Sequence, residues 1–179
     1  KKYTPFYNAV VNKPVTKPVK KRSFTFSTLD TDLQYKITLN DAMKRFVIFN
    51  SDILVHGGSK QANLRLSIAL RDQQKYDVNR DFFQYKTTHL SAYIKFGCIS
   101  IRDIYHAVKK EFGIKHGIIR ELIWREFFAH VLYAYPEVVG QSYQLKYRSL
   151  QWSQSKTRIE KWKNGQTGFP IVDACMREM

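Results

Sequence analysis

Cysteine is nearly absent from this chain of 179 residues: Cys98 and Cys175 stand far apart, with no CxxC or His-x-His spacing. A disulfide scaffold and a zinc site are thereby excluded as organising principles. His56, His89, His106, His116 and His130 are scattered and form no ligand set, so no metal is expected. Long apolar runs are missing too, as is a signal-peptide pattern at the start, which argues against a membrane span or a secretory leader. Acidic residues are scarce, with 15 Asp+Glu against 30 Lys+Arg and a formal net charge of +15. These absences together read as a soluble, reduced, intracellular protein whose field gathers polyanions. Nucleic acid is the leading partner, with an anionic membrane or an acidic protein as competitors.

What is present is apolar and aromatic. Hydrophobic residues make up 44% and aromatics 15%, with 12 Phe, 11 Tyr and 3 Trp. Such a chain buries enough apolar surface to offset ordering entropy, so it is not disordered. The rings serve either a thick helical core or stacking surfaces for flat ligands.

Residues 1–30 differ from the rest. They hold Pro5, Pro14, Pro18 and seven Lys or Arg, with no acidic residue before Asp30. The prolines predict an extended linker or arm. Within it, the run from Lys17 to Arg22 has the form of a nuclear import signal or of a plain solvated tether. From Leu33 onward a 3.6-residue period dominates and the class is all-α. Gly57-Gly58-Ser59 precedes a helix over 60–75, and Thr87-Thr88-His89-Leu90-Ser91 opens a short one that stops at Gly97. Ser100 caps the next, with Asp103 placed as in a capping box and Gly113 as its stop. The longest helix runs over 118–134 up to Pro136. Ser155 starts another that ends at Asn164-Gly165, and Pro170 opens a last one whose pattern still runs at Met179. The expectation is a chain that stops before its domain is complete.

Four features could carry chemistry. Thr87, Thr88 and Ser91 cluster at a helix start, which suits either a phosphate cradle or ordinary N-capping. Glu121, Trp124, Arg125 and Phe128 share one face of a helix that is apolar nearly all round. They make either a ligand-facing wall or an intrahelical Glu121–Arg125 pair beside a core Trp. Tyr76 and Arg80 stand at i, i+4 just before the hydroxyl cluster, and Gly165-Gln-Thr-Gly168 has the shape of a GxxG loop or a simple turn.

The blocks Thr87-Thr-His-Leu-Ser91 with Phe96-Gly97, Glu121-Leu-Ile-Trp-Arg-Glu-Phe-Phe128, and Trp162 through Arg177 resemble, in order and spacing, the DNA photolyase/cryptochrome family. Lys2-Tyr-Thr-Pro-Phe-Tyr7 is similar to the stretch where that family's antenna domain ends. The resemblance covers nearly the whole chain and is greatest to the class I cyclobutane pyrimidine dimer (deoxyribodipyrimidine) photolyases. It implies that 31–179 are the N-terminal, incomplete portion of the helical FAD-binding domain. It also implies light-driven repair of pyrimidine dimers in ultraviolet-damaged DNA, by electron transfer from reduced FAD.

By the same resemblance Tyr76, Thr87, Thr88, His89, Leu90, Ser91 and Arg125 bind FAD. Arg80 meets a DNA phosphate, Glu121 hydrogen-bonds a dimer base, Trp124 stacks on the dimer, and Trp152 is the outer member of a tryptophan relay. Glu121 points to dimer photolyases, because (6-4) photolyases and animal cryptochromes usually carry Gln there. His89 and Ile118 depart from the family, which often has Arg or a small polar residue and Trp at these places. A cryptochrome-like blue-light photoreceptor and an inactive remnant are the alternatives. The chain alone is expected to hold flavin weakly, with a second chain as a candidate source of the rest of the domain.

Overall fold

The computed structural model describes residues 2–19, 25, 37–48 and 50–178. Among them the regular structure is entirely helical, with no strand. No helix among them is long and apolar enough to cross a membrane. The chain divides into two compact units, with the boundary after His130.

The first helix, α1 (Tyr3–Val10), corrects the expectation of an extended arm at residues 3–10. Pro5 falls in its first turn, where backbone N–H groups have no intrahelical partner to lose, so the ring is tolerated. Tyr3, Phe6, Tyr7 and Val10 then pack on the core, and that burial decides the conformation. Residues 14–19 have no regular structure, in keeping with Pro14 and Pro18. The candidate import run falls partly outside the described residues, from Lys20 to Arg22.

Helix α2 (Leu39–Phe46) is capped by Thr38, whose hydroxyl accepts the Asp41 N–H at 3.1 Å, and buries none of its residues. The core lies further along, in α3 (Ser59–Asp72), α4 (Tyr76–Asn79), α5 (Ser91–Lys95), α6 (Ile101–Phe112) and α7 (Gly117–Ala134). Helix α3 gives Ala62 and Ala69 to the interior, small enough for the direct packing it makes on α6. Ile104, Val108 and Ile119 are the largest fully buried side chains. At roughly 1.5–3 kcal/mol for each buried aliphatic, they place the centre of stability between α6 and α7. Ser100 caps α6 through the Arg102 N–H at 3.2 Å, and Gly113 closes it at φ 89°. Helix α7 buries Gly117, Ile118, Ile119, Leu122, Ile123 and Phe127, which fall on no single stripe.

In the second unit, Pro136 opens a 3-10 turn over 136–138, and another spans 145–147. Helices α8 (Lys156–Lys163) and α9 (Pro170–Glu178) form a hairpin. Its loop holds Gly165 at φ 60°, where a Cβ would sit 2.8 Å from the Asp173 carbonyl oxygen. Asp173, 8% exposed, accepts the Thr167 N–H at 2.7 Å, the Thr167 hydroxyl at 2.6 Å and the Gly168 N–H at 3.0 Å. Arg177 donates to the Gly165 carbonyl at 2.8 Å. Gly165-Gln-Thr-Gly168 is therefore a turn whose Thr167 and Gly168 amides are occupied by an internal carboxylate and whose Gly165 and Gln166 amides are occupied by carbonyls of α8.

Candidate functional site

Helices α4 to α7 of the first unit enclose a cavity of about 550 Å³. Its lining holds Tyr76, Thr87, Thr88, His89, Leu90, Ser91, Glu121 and Arg125, residues drawn from three separated stretches of sequence. Ile94, Lys95, Ile104, Ile118 and Leu122 complete it. The family resemblance marks Ile118, where relatives often have Trp, while the other four are not assigned to the site by sequence. Among those four Lys95 carries a local signal, since it lies at i+4 from Ser91 on the same short helix.

The hydroxyl segment does not behave as an ordinary cap. Leu90 stands at the N-cap of α5 with no capping side chain, while the Thr88 hydroxyl accepts the Leu90 N–H at 3.3 Å. His89 beside it has φ 51°, a left-handed conformation uncommon outside glycine and strained by about 1 kcal/mol. The segment thus bends sharply where it meets the cavity.

Glu121 does not pair within its own helix. Its carboxylate is bridged by Arg80 from the end of α4, and Arg80 also lies 3.7 Å from Asp81. Arg125 turns instead to Glu126 at 2.8 Å. Burial opposes the charge on Arg80, yet the Glu121 and Asp81 carboxylates leave its guanidinium more basic than usual. Burial, and then the Glu121 carboxylate, raise the Tyr76 phenol above its ordinary value, so it stays an O–H donor at neutral pH.

One wall is held by a latch at the start of α7. Asp77 accepts the Gly117 N–H at 2.8 Å through one oxygen and bonds Arg120 through the other. A Cβ on Gly117 would come within 2.8 Å of the Tyr76 ring, so only glycine lets α4 and α7 close here. His116 stacks on Phe112 with centroids 4.4 Å apart and meets the Gln73 carbonyl oxygen through Nε2 at 3.1 Å. A carbonyl accepts only, so the ring proton sits on Nε2 and Nδ1 is left to accept the Ile118 N–H at 3.4 Å.

Trp124 does not join this group. From Glu121, Arg125 lies roughly 40° round the helix and Trp124 roughly 60° the other way. There α1 covers it: the Tyr3 ring stacks on Trp124 with centroids 3.5 Å apart and planes 6° from parallel. Tyr3 also donates its hydroxyl to the Arg120 carbonyl at 3.0 Å. Spacing alone puts Glu121 and Trp124 on one face, open to a ligand-facing wall or to an intrahelical pair beside a core Trp, and α1 divides the two by covering Trp124. Trp152 belongs to the second unit and is 72% exposed. A further cavity of about 460 Å³ adjoins the next face of α7, lined by Phe6, Val10, Tyr105, Ile123, Glu126 and His130 among others, and shares Leu122 with the first.

Residues 118–179 match the model of the FAD binding domain of DNA photolyase. The chain is 31% identical, over its whole length, to a deoxyribodipyrimidine photo-lyase of Alkalihalophilus pseudofirmus, of which it spans 39%. It is 35% identical over 60% of its length to the one from Halobacterium salinarum, of which the match covers 24%. The crystal structure of a Synechocystis cryptochrome superposes on 76% of the chain and 31% of its own, with a TM-score of 0.58 and 28% identity. The chain belongs to the DNA photolyase/cryptochrome family, and spans less than half the length of these relatives.

By this resemblance its cofactor is FAD, and the cavity fits one. Three hydroxyls with Lys95 and Arg125 suit a diphosphate, while Leu90, Ile94, Ile104, Ile118 and Leu122 offer an apolar bed to a flat ring. The volume is within the range of small-molecule sites, about 300–1,000 Å³.

Proposed function

We propose that this chain is the flavin-holding front of a deoxyribodipyrimidine photolyase, repairing cyclobutane pyrimidine dimers in ultraviolet-damaged DNA. One observation carries the reading. The residues that the family resemblance assigned to FAD, from Tyr76 through Thr87–Ser91 to Arg125, line a single cavity together with Glu121.

Reduced FAD, when bound and excited by light, supplies the electron that opens the dimer. The protein's own residues do the rest. Thr87, Thr88 and Ser91 donate hydrogen bonds to phosphate oxygens, which Lys95 and Arg125 neutralise. The aliphatic lining keeps water from the ring. Glu121 accepts N–H groups of a flipped pyrimidine at its carboxylate oxygens, and Arg80 holds a backbone phosphate. Trp124 stacks on the lesion once Tyr3 yields its place, a contact worth about 1–3 kcal/mol per base. Trp152 serves as the outer relay residue through which the flavin is reduced.

The test has two stages. Quenching of flavin fluorescence, titrated with FAD, shows binding that Arg125→Ala weakens about tenfold, the loss of one charge-assisted contact. No saturable quenching by the wild type sinks the cofactor reading. The FAD-loaded chain is then photoreduced and illuminated with an oligothymidylate carrying one cyclobutane dimer, and thymine absorbance recovers. Flavin bound without recovery removes the repair reading in favour of a photoreceptor, which the likeness to the solved Synechocystis cryptochrome supports.

A further inference from the structure

The cavity has one acidic residue in its lining, Glu121, and that carboxylate is engaged by Arg80. The pair joins two groups whose tasks under the proposed function are separate, a backbone phosphate for Arg80 and a base for Glu121. Arg80 cannot serve both partners at once with its full fork of donors. Its side chain is 32% exposed and that of Glu121 40%, so the pair is open to solvent and able to exchange. Exposed pairs of this kind are weak, about 0–1 kcal/mol, and a phosphate competes with a carboxylate for guanidinium on at least equal terms. The competing acid nearby, Asp81, is 78% exposed and 3.7 Å away, too loose to fix Arg80 by itself.

We propose that Arg80 is a two-position side chain that couples phosphate contact to base recognition. In the free protein it rests on Glu121 and masks the carboxylate. When a nucleic-acid strand docks, its phosphate draws the guanidinium away, and Glu121 is left charged and unpaired beside the cavity. An unpaired, part-buried carboxylate then seeks N–H donors, which an extruded pyrimidine supplies and a stacked one does not. Arg80 is in this sense a specificity-determining residue: it makes the base-reading group available only after the backbone is engaged. The inference rests on the nucleic-acid reading of this site.

A double-mutant cycle on the full chain tests it, with a fluorescein-labelled undamaged oligothymidylate followed by anisotropy. Releasing Arg80 by Glu121→Gln is expected to tighten binding about threefold to fivefold, and to steepen the salt slope by about 0.7, one single-strand phosphate. In the Arg80→Gln background the same Glu121→Gln change is expected to alter affinity less than about twofold. Equal tightening in both backgrounds would mean a plain charge effect and overturns the coupling, as does no tightening in either. Arg80→Lys, which keeps the charge but loses the fork, is expected to restore part of the difference. Circular dichroism on the wild type and every variant separates unfolding from lost coupling. A wild type that binds no oligonucleotide at low salt defeats the nucleic-acid reading itself, whereas binding without the cycle defeats only this inference.

Discussion

Gly117 shows how narrow the tolerances are at single residues. Its missing side chain lets the Asp77 carboxylate cap α7 and lets the Tyr76 ring close the cavity wall. Alanine would gain up to about 1 kcal/mol of helix propensity, but overpacking against pinned neighbours costs about 1–3 kcal/mol. The clash wins. Gly117→Ala is expected to lower the urea midpoint and to weaken flavin quenching together; an unchanged midpoint would show that Tyr76 moves freely.

Asp173 gives a pH-dependent case. The Thr167 hydroxyl, and then the amides of Thr167 and Gly168, hold its carboxyl below the ordinary carboxylate range. A depressed folded-state value means that its contribution is present above the unfolded value of about 3.9 and is lost as pH falls through the folded one. Exchange protection of the Thr167 and Gly168 amides is therefore expected to hold at neutral pH and to fall in acid below that range. Asp173→Asn should remove it at every pH.

Among whole elements, α1 matters most for what the chain can do. Its Tyr3 covers Trp124 face to face and ties to the backbone of α7. Tyr3→Ala removes a half-buried ring and a hydrogen bond, a loss of about 2–3 kcal/mol. Far-ultraviolet dichroism should report the loss of one helix, and tryptophan emission should shift red. Tyr3→Phe, which keeps the stack, should cost about 1 kcal/mol or less.

The sequence revealed α3, α5, α6, α7, α8 and α9 because each carries a start or stop signal that the structure uses. Ser100, Gly113, Ser155, Gly165 and Pro170 all stand at the ends predicted for them. It concealed α1 because Pro5 was weighed as a breaker without regard to its place in a first turn. The hydroxyls and charges around the cavity are open to two readings each by local spacing, and only the family resemblance assigns them to one cofactor. Ile94, Ile104 and Leu122 were not legible, since an aliphatic residue that lines a cavity looks like one that fills a core. The Arg80–Glu121 contact joins residues 41 positions apart, beyond the reach of any local spacing rule.

For the molecule as a whole, the charge sets how the chain would meet a polyanion. With 30 basic against 15 acidic residues, counterion release dominates any association with nucleic acid. The logarithm of affinity for an undamaged oligothymidylate is expected to fall with the logarithm of salt with a slope of about −2 or steeper, three or more phosphates at about 0.7 each. A slope flatter than about −1 would mean that the excess charge is spread over the surface without a track for a strand.

Helix α7 has two cavities beside it, sharing Leu122, while Trp124 and Phe127 close it off against the aromatic side chains of α1. Most surface helices keep one side on which substitutions are nearly free. This one has little such side from Gly117 to Trp124, where every residue is buried or half-buried, so random mutagenesis should find there the longest unbroken run of intolerant positions. Replacements in that run would need compensation on α1, α4 or α6 at once, and a helix bound to that many neighbours can change only slowly.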